Sequence, residues 1–590
     1  MANLSQMKRQ RMLAFLNGLK EKNKDDDKTL AAINEIENAL NEKKYGLVWE
    51  KHEEAVDVKM KTHIPVFTED KDKEISAAPG ERYNFLLEGD NLHSLKLLEK
   101  THKGRIDVIY IDPPYNTKKE GFTYSDQLVD GNDSFRHSKW ISFMTERLLA
   151  AKQLMSNRGI LFISVDENEF AQLKLLCDEI FDESCFIENI IWNKRVPKND
   201  KGIGNIHEYI LTYTSNPLYK YKLMSPKDGI SEINKLIAEE KKQGKSTLEV
   251  EKSLKLLYRK QKYPRAVTLY NNLDNNYRIF GKINMSWPNG NTFGPRYEVI
   301  NPITKKAVRI PDRGWRWTKE TFDKAVDYQN PQLLPDGSAI CGRIWFSAKD
   351  DMQPSSINYL DEVDRMLLRS IISLKSDGGM VLENIFNRKS AFAYPKSVSL
   401  VKLLIDACTY DKKDSVILDF FAGSGTTAQA VLELNKEDGG HRSFILCTNN
   451  ENNICREITY PRVKTVITGL REDGSKYSDG ILANLKYYHT DFVAKDEEFL
   501  SDALLNHIAE MIQLEHGVKL DGKEYLMVLT DEEADELASH WHDYPDLKAI
   551  YLSSNVLLTT KQEHLFKNVE TYIIPNYYFD FELEEAGESW

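Results

Sequence analysis

Short apolar strands alternate with helical segments over much of this sequence, and this rhythm restricts the possible folds more than any other feature. The segment 107–111 is apolar and β-branched and ends abruptly at a charged residue, Asp112. The segment 415–420 is similar and ends at a glycine-rich turn that leads into a helix. Strands that alternate with helices pair into a mostly parallel sheet with helices on both faces. The sequence therefore predicts an α/β fold.

Interruptions of this rhythm divide the chain into five predicted regions. Before residue 81, apolar residues recur at helical spacing and a charged linker follows. After residue 215, the sequence is first lysine-rich and then irregular and rich in Asn, Trp and Gly, which predicts an inserted domain. We predict a helical N-terminal region with a linker, one half of a core, the insertion, the other half of the core and a small C-terminal α/β domain, at 1–80, 81–215, 216–380, 381–480 and 481–590.

The charge of the chain does not by itself identify a partner. The net charge is −12, whereas a nucleic-acid binder usually carries a basic surface. Net charge is not local charge, however, and the stretch 194–265 is rich in Lys and Arg. That stretch is either a surface that follows a phosphate backbone or an ordinary solvated helix face. Trp287, Trp315 and Trp317 lie near arginines, and this pattern fits either contacts with bases or a small core anchored by tryptophan.

Two further features indicate an intracellular protein. The six cysteines include no C-x-x-C pair, which argues against a structural zinc site and predicts no bound metal. Dispersed cysteines of this kind fit a reducing cytoplasm. The sequence has no run of about eighteen apolar residues, so it predicts no membrane-spanning helix and no membrane partner.

The tetrapeptide Asp112-Pro113-Pro114-Tyr115 follows the first strand. Two consecutive prolines fix the backbone and remove two N–H donors, so a carboxylate and a proline carbonyl can both accept hydrogens from one amino group. The carboxylate also offsets the positive charge that develops when an aromatic amine reacts. Tyr115 can stack on a base that has left its duplex. A simpler interpretation is a Pro-Pro turn with an aspartate cap.

The second motif, Phe421-x-Gly423-x-Gly425, lies between a strand and a helix. Glycines allow a ligand to approach the backbone closely, and a helix N-terminus favours an anion such as a carboxylate. The dinucleotide-binding spacing G-x-G-x-x-G fails because Ala428 occupies its last position. The sequence has no G-x-x-x-x-G-K-[ST] motif, which argues against an NTPase.

Together, the two motifs resemble those of the amino-methyltransferases, in which D-P-P-Y is the catalytic motif and F-x-G-x-G binds the methyl donor. The catalytic motif comes first here, with a long insert before the cofactor motif, and this order is similar to the β class, in which the insert is the target recognition domain. Over about residues 45–495, further segments resemble the modification (Mod) subunits of type III restriction-modification systems: 88–92, 142–144, 166–169, 193–194, 314–317, 393–396 and 484–488.

The resemblance implies a fold and a set of site residues. The fold is a Rossmann-like methyltransferase sheet with helices on both faces, whose catalytic half precedes the recognition domain and whose cofactor half follows it. Asp112, Pro113 and Tyr115 would hold a flipped adenine, and Pro114 would shape the turn. The implied cofactor is S-adenosylmethionine, with Asp419 near its methionine amine and Lys396 near its carboxylate. The residues that would bind it are Asp90, Lys396, Asp419, Phe421, Gly423, Ser424, Gly425 and Thr426.

Three other groups of polar residues need an interpretation. Many relatives end the strand after the glycine-rich helix with an acid that binds ribose, whereas Thr448 is followed here by Asn449 and Asn450. An amide can also hydrogen-bond a hydroxyl. We interpret His207 and Glu208 as structural residues, and Asp166 and Glu167 as a helix cap rather than an acid–base pair.

The expected function is methylation of adenine N6 in a short, asymmetric DNA sequence. The resemblance also implies a homodimer, double-stranded DNA with a flipped adenine as substrate, a separate restriction subunit with helicase and nuclease activities, and a cytoplasmic location. Three alternatives stay open. They are an N4-cytosine methyltransferase, although such enzymes favour Ser at the position of Asp112, an RNA methyltransferase, and a non-catalytic DNA-binding specificity subunit.

Overall fold

The computed structural model of this chain describes residues 4–22, 27–41, 54–117, 123–124, 127–128, 136–194, 204–218, 221–288, 290–349, 352–389, 392 and 394–587. The chain divides into two compact units, residues 1–59 with 116–146 and residues 60–115 with 147–590.

The helices and strands before residue 218 are α1 (Leu4–Lys22), α2 (Asp27–Asn41), α3 (Ala55–Met60), β1 (His63–Glu69), β2 (Ile75–Ser76), β3 (Tyr83–Glu88), α4 (Asn91–His102), β4 (Ile106–Ile111), β5 (Thr123–Tyr124), β6 (Gln127–Leu128), α5 (Arg136–Leu154), β7 (Met155–Val165), α6 (Phe170–Phe181), β8 (Phe186–Asn193) and β9 (His207–Thr214). Those between residues 218 and 370 are β10 (Met224–Pro226), α7 (Ile230–Lys242), α8 (Thr247–Gln261), α9 (Arg265–Thr268), β11 (Tyr270–Leu273), β12 (Ile279–Asn284), α10 (Lys319–Ala325), β13 (Gln332–Leu333), β14 (Ala339–Cys341), β15 (Ile344–Phe346), β16 (Ser355–Tyr359) and β17 (Arg365–Leu367).

The elements after residue 370 are β18 (Ile371–Ser373), α11 (Gly378–Phe386), α12 (Val398–Thr409), β19 (Val416–Asp419), α13 (Thr426–Asp438), β20 (Ser443–Thr448), α14 (Tyr460–Thr468), β21 (Asn484–Ala494), α15 (Leu500–Leu505), α16 (Ile508–His516), β22 (Tyr525–Val528), α17 (Asp531–Ser539), β23 (Ala549–Leu552), α18 (Thr560–Phe566), β24 (Glu570–Ile573) and α19 (Asp580–Ala586). Among the described residues, no helix is both long and apolar enough to cross a bilayer.

In the first unit, α1 and α2 contact each other and bury Leu16 and Ile33. Both residues belong to the apolar positions that recur at helical spacing in the sequence. The predicted helical character of the N-terminal region is therefore confirmed for the residues that the structure describes there.

The second unit is built around an 11-stranded sheet in the order β1-β21-β3-β20-β19-β4-β7-β9-β8-β18, with β2 paired to β21 beside this path. The neighbouring strands from β21 to β7 are all parallel. Strand β9 runs antiparallel between β7 and β8, and β1 runs antiparallel to β21. The predicted α/β class with a mostly parallel, Rossmann-like sheet is confirmed.

The core of the second unit lies against these parallel strands. Every residue of β3 and β4 is buried, so the side chains on both faces of the sheet are covered. On one face, Leu86, Val108 and Phe162 form a cluster with Leu404 of α12 and Val431 of α13. Burial of both faces explains why these strands are mostly apolar in the sequence, with Asn84, Glu88 and Asp107 as buried polar exceptions.

The insertion forms sheets of its own. Strands in the order β11-β12-β16-β15-β14-β13 make an antiparallel sheet, and β10 pairs with β17. Trp315 is fully buried in one of the insertion's cores, where its Nε1 donates to the carbonyl of Tyr297 at 2.8 Å. For this tryptophan, the structure supports the small core rather than a contact with bases.

A small α/β region ends the chain. Strands β22, β23 and β24 are neighbours and parallel. Their apolar residues, among them Val528, Ile550 and Leu552, share a cluster with Leu537 of α17 and Phe566 of α18. The predicted C-terminal α/β character is confirmed.

The central sheet extends beyond the core ranges 81–215 and 381–480 that the sequence predicts. Strands β1 and β2 precede residue 81, β18 precedes residue 381, and β21 follows residue 480. The charged segment 69–74, predicted as a linker, includes the end of β1. Pairing between strands as distant in sequence as β1 and β21 leaves no local signal, so the predicted boundaries omit these strands from the core.

Candidate active site

The carboxyl ends of five neighbouring parallel strands meet at one edge of the central sheet. Strand β20 ends at Thr448 and β19 ends at Asp419, while β3, β4 and β7 end just before Asp90, Asp112 and Asp166. In open α/β sheets, this is the edge at which ligands bind. Because β19 and β4 are direct neighbours, the structure brings the two sequence motifs together.

Asp112 and Tyr115 are joined within the first motif. The Tyr115 hydroxyl donates to Asp112 Oδ1 at 2.8 Å. Pro113 is buried, whereas the other three motif residues are half-buried. The two prolines have no N–H groups that could compete for the carbonyls of this turn. With 26% of its side chain exposed, Asp112 is accessible to a ligand at the sheet edge.

Two lysines and a second carboxylate form a charged cluster with Asp112. The Nζ atom of Lys396 lies 2.9 Å from Asp112 Oδ1 and 2.8 Å from Glu208 Oε2, and it also donates to the Tyr115 hydroxyl. Glu208 Oε1 forms a further ion pair with Lys194. The ammonium group of Lys396, which the sequence predicts to bind the carboxylate of the cofactor, thus lies beside the first motif. Its cluster contains two cationic and two acidic side chains.

Burial and charge set the protonation of this cluster. Burial raises the pKa of Asp112, and Lys396 opposes this shift while Glu208 reinforces it. Burial also acts to raise the pKa of Glu208, but Lys396 and Lys194 outweigh it and lower the value to about 2. The two carboxylates raise the pKa of Lys396 although burial opposes them. At neutral pH, Glu208 is therefore a carboxylate and Lys396 is an ammonium ion.

Asp419 ends β19 directly before the glycine-rich loop. Its Oδ1 accepts the backbone N–H of Phe421 at 3.0 Å, and its Oδ2 accepts the hydroxyl of Thr427. Burial raises the pKa of Asp419 to about 7. Among the residues that the structure describes, no cationic side chain forms an ion pair with it. A buried carboxylate in this setting suits a positively charged ligand group.

Gly423 and Gly425 shape the loop that follows. Both have left-handed backbone angles, with φ of +48° and +78°, and Gly425 is the N-cap of α13. A Cβ at Gly423 would approach only the carbonyl of Phe421, at 3.8 Å, whereas a Cβ at Gly425 would lie 3.2 Å from a methyl group of Thr459. The loop is therefore open at Gly423 and packed at Gly425.

A buried arginine holds the hydroxyls of Ser424 and Thr426. Arg462 Nη1 donates to both hydroxyls at 2.9 Å and to the Ser424 carbonyl at 3.1 Å. Its Nε donates to Gln429 at 3.0 Å. These partners are neutral and the guanidinium is fully buried. Arg462 therefore orients both hydroxyls and adds positive charge near the N-terminus of α13, which itself favours an anion.

Asp90 is held between a helix N-terminus and a second buried arginine. Its Oδ1 accepts the N–H of Leu92 at 2.8 Å and lies 3.2 Å from Arg147 Nη2. The next residue, Asn91, donates to the carbonyl of Phe420 at 2.7 Å and accepts a hydrogen bond from Arg147. Arg147 and Asn91 thus tie the end of β3 to the loop that follows β19.

At the end of β20, Thr448, Asn449 and Asn450 occupy the positions where the resemblance would place a ribose-binding acid. Thr448 is buried and Asn449 is exposed, while Asn450 accepts the N–H of Arg456 at 3.2 Å. The neighbouring carboxylate, Glu88 of β3, is bound by Arg456 and by Tyr487. A role for the two asparagines in ribose binding stays a prediction.

Sequence reasoning missed three residues of this site. Glu208, interpreted from the sequence as a structural residue, has a side chain that contacts Lys396 and Tyr115 of the candidate site. Arg147 and Arg462 belong to no recognisable motif, and a single arginine in a helix is usually a surface residue. The one available signal was an acidic residue, Glu208, at the start of an apolar strand. The prediction that Asp166 caps a helix is wrong, because the N-cap of α6 is Glu169. The Asp166 carboxylate instead accepts the N–H of Asn168 at 2.9 Å, within the turn before that helix.

Comparisons with known proteins agree with this geometry. A family described as DNA methylase matches residues 106–267 and 260–460, more than half of the chain, including both motifs. The StyLTI Mod subunit of a Salmonella typhimurium type III restriction-modification enzyme is 29% identical over 74% of this chain and 65% of its own length. The EcoP15I Mod subunit of an Escherichia coli type III enzyme is 32% identical over 71% of this chain and 66% of its own length.

A third relative has a different type. The type II methyltransferase M.KpnI of Klebsiella pneumoniae is 30% identical over 68% of this chain and 87% of its own length. The chain spans slightly less than two thirds of the length of the two Mod subunits. The match to the family model over more than half of the chain, with both motifs at one edge of the sheet, decides the assignment. This chain belongs to the DNA methylase family.

Proposed function

We propose that this chain is a site-specific DNA methyltransferase that transfers the methyl group of S-adenosylmethionine to N6 of adenine. One observation carries the proposal: the Asp112 motif and the glycine-rich loop after Asp419 lie at the ends of two neighbouring strands. Direct methyl transfer requires a site for an amine beside a site for a methyl donor, held in line. Membership of the DNA methylase family supports the same reaction.

The first motif would hold the target base. A flipped adenine stacks on Tyr115, whose ring is anchored through its hydroxyl to Asp112. The Asp112 carboxylate and the Pro113 carbonyl accept the two hydrogens of N6, and Pro114 keeps the turn in shape. This arrangement turns the nitrogen lone pair out of the ring plane. As N6 forms its bond to the methyl carbon, the bond between that carbon and the sulfonium sulfur would break and leave a neutral thioether. Asp112 would stabilise the developing positive charge on N6 and then accept the proton that N6 releases.

The residues of the second motif fit the cofactor. When bound, S-adenosylmethionine supplies an electrophilic methyl group on a sulfonium. Asp419 would form an ion pair with the amino group of the cofactor. Phe421, Gly423 and Gly425 would line the cofactor site, and Asp90 would lie further along the same sheet edge. In the structure, Lys396 forms an ion pair with Asp112. We therefore assign the carboxylate of the cofactor to the hydroxyls of Ser424 and Thr426 and to the N-terminus of α13.

Analysis of the product tests this proposal. The purified chain is incubated with DNA or RNA and methyl-labelled cofactor, and the nucleosides are identified by mass spectrometry. We expect labelled N6-methyladenine in DNA. Label on N4-methylcytosine would move the assignment to the other exocyclic amine, and label in RNA alone would change the substrate. Absence of label with both polymers would contradict an autonomous methyltransferase.

We also propose that the chain is the modification and specificity subunit of a type III restriction-modification system in the cytoplasm. The insertion, 216–380, would read a short asymmetric sequence, and a homodimer would associate with a separate restriction subunit through 481–590. The names of the two Mod-subunit relatives support this assignment. A methyltransferase without such a partner is the second candidate, because M.KpnI is named a type II enzyme.

Cofactor affinity should depend on pH near neutrality. Burial raises the pKa of Asp419 to about 7, and only its ionised form can neutralise the cofactor's amino group. We therefore expect binding to release a proton, and the affinity to fall by up to about tenfold for each pH unit below the pKa. Calorimetric titrations in two buffers with different ionisation enthalpies measure this proton release. Asp419→Asn should bind more weakly and without the pH dependence, and an unchanged slope in that variant would contradict the role of Asp419.

A further inference from the structure

The ammonium group of Lys396 lies where the amino group of a target base would bind. Its Nζ is 2.9 Å from Asp112 Oδ1 and lies over the Tyr115 ring, 5.0 Å from the ring centre. A base that stacks on Tyr115 and donates to Asp112 needs the same space. The lysine therefore occupies the amine position of the proposed reaction, and it must give way when the base enters.

Among the described residues, Glu208 is the anion other than Asp112 that forms an ion pair with Lys396. Lys396 Nζ is 2.8 Å from Glu208 Oε2, and both side chains are only 10% exposed. The two carboxylates raise the pKa of Lys396, so the group stays charged. A buried charge that loses its partner is strongly destabilising. Glu208 can be that partner while Asp112 binds the base. Lys194 pairs with Oε1 of Glu208, which leaves Oε2 for Lys396.

We infer that Glu208 is a positioning residue for methyl transfer, which holds Lys396 when the amine of the target base replaces that lysine on Asp112. This inference rests on the proposed function. Glu208 does not touch the base in this arrangement. It acts through Lys396 and through the Tyr115 hydroxyl, which lies 3.3 Å from Glu208 Oε2.

Removing the charge of Glu208 should therefore favour the arrangement in which Lys396 stays on Asp112 and blocks the target base. In Glu208→Gln, Asp112 is the carboxylate that still pairs with Lys396 among the described residues, so the lysine competes more strongly with the base. The pKa of Asp112 should also fall, since Glu208 contributes to raising it. This variant leaves unchanged the other groups that face Asp112, which are Lys396, Tyr110, Tyr115 and Asp419.

The experiment compares Glu208→Gln with the wild type on a duplex that contains the methylated sequence. A 2-aminopurine beside the target adenine reports base flipping, and steady-state rates are measured from acid to neutral pH. We expect the flipped population and kcat/KM to fall about ten- to hundredfold, the range for losing a hydrogen bond to a charged group. The acid limb of the pH profile should move to lower pH, while cofactor affinity stays unchanged.

Two further variants separate this role from a general structural one. Glu167→Gln removes a carboxylate that accepts a hydrogen bond from Asn205 at the same sheet edge, and it should leave all three measurements unchanged. The double variant Glu208→Gln/Lys396→Met should regain the flipping signal, because no ammonium group remains on Asp112.

Two results would overturn the inference. One is wild-type flipping with an unmoved acid limb in Glu208→Gln, and the other is a double variant that flips no better than that single variant. Absence of methylation by the wild-type chain would instead remove the proposed function itself, and the inference with it.

Discussion

Replacing Asp112 with alanine should abolish methyl transfer while the protein still binds DNA and cofactor. The substitution removes the carboxylate that accepts a hydrogen of N6 and stabilises its developing charge. Losing one such preorganised electrostatic contact typically costs about 10²- to 10³-fold in rate, and here the same group also accepts the proton. Single-turnover transfer of labelled methyl groups to saturating DNA measures this loss.

Asp166→Ala is the matched control for this experiment. Asp166 also follows a strand at the same sheet edge, but its carboxylate accepts hydrogen bonds from Asn168 within its own turn. We expect that variant to keep its methylation rate within a few-fold of the wild type. Near-normal turnover in Asp112→Ala, or an equal loss in both variants, would contradict the assignment of Asp112.

Replacing Gly423 with tryptophan should prevent cofactor binding without unfolding the chain. A side chain at this position starts in open space, since its Cβ would approach only the Phe421 carbonyl at 3.8 Å. The left-handed backbone, with φ of +48°, costs a larger residue about 1–2 kcal/mol. The indole would fill the space proposed for the cofactor. We expect the dissociation constant measured by calorimetry to rise at least about a hundredfold, which corresponds to about 2.7 kcal/mol.

Gly439→Trp controls for the backbone strain in this comparison. Gly439 lies at the opposite end of α13 and also has a left-handed φ, of +66°. A Cβ at Gly439 would have no described neighbour within 4 Å. That variant should lose similar stability, read from its thermal midpoint, but bind cofactor normally. Undiminished cofactor affinity in Gly423→Trp would remove this loop from the site.

The parts of the site that follow strands directly could be predicted from the sequence. A β-branched run that ends at Asp112, and another that ends at Asp419, each give a local pattern. Parallel strands place such ends at the same sheet edge. The sequence therefore indicates that the two motifs share one crevice, without showing the order of the strands between them.

The parts that depend on distant pairing could not be predicted. Glu208 reaches the site because β9 inserts antiparallel beside β7, and no local pattern encodes that neighbour. Lys396 has a long side chain, and a Tyr-Pro-Lys sequence does not determine whether its ammonium group meets a cofactor or Asp112. The pairing of β1 with β21 likewise joins segments that are far apart in the sequence.

The most direct test of the central claim is single-molecule sequencing of DNA from a methylation-deficient host that expresses this chain. A parallel culture expresses the Asp112→Ala variant. We predict N6-methyladenine on one strand of one short asymmetric sequence with the wild type, and none with the variant. N4-methylcytosine, or DNA without any mark from a folded wild-type chain that binds cofactor, would contradict the account.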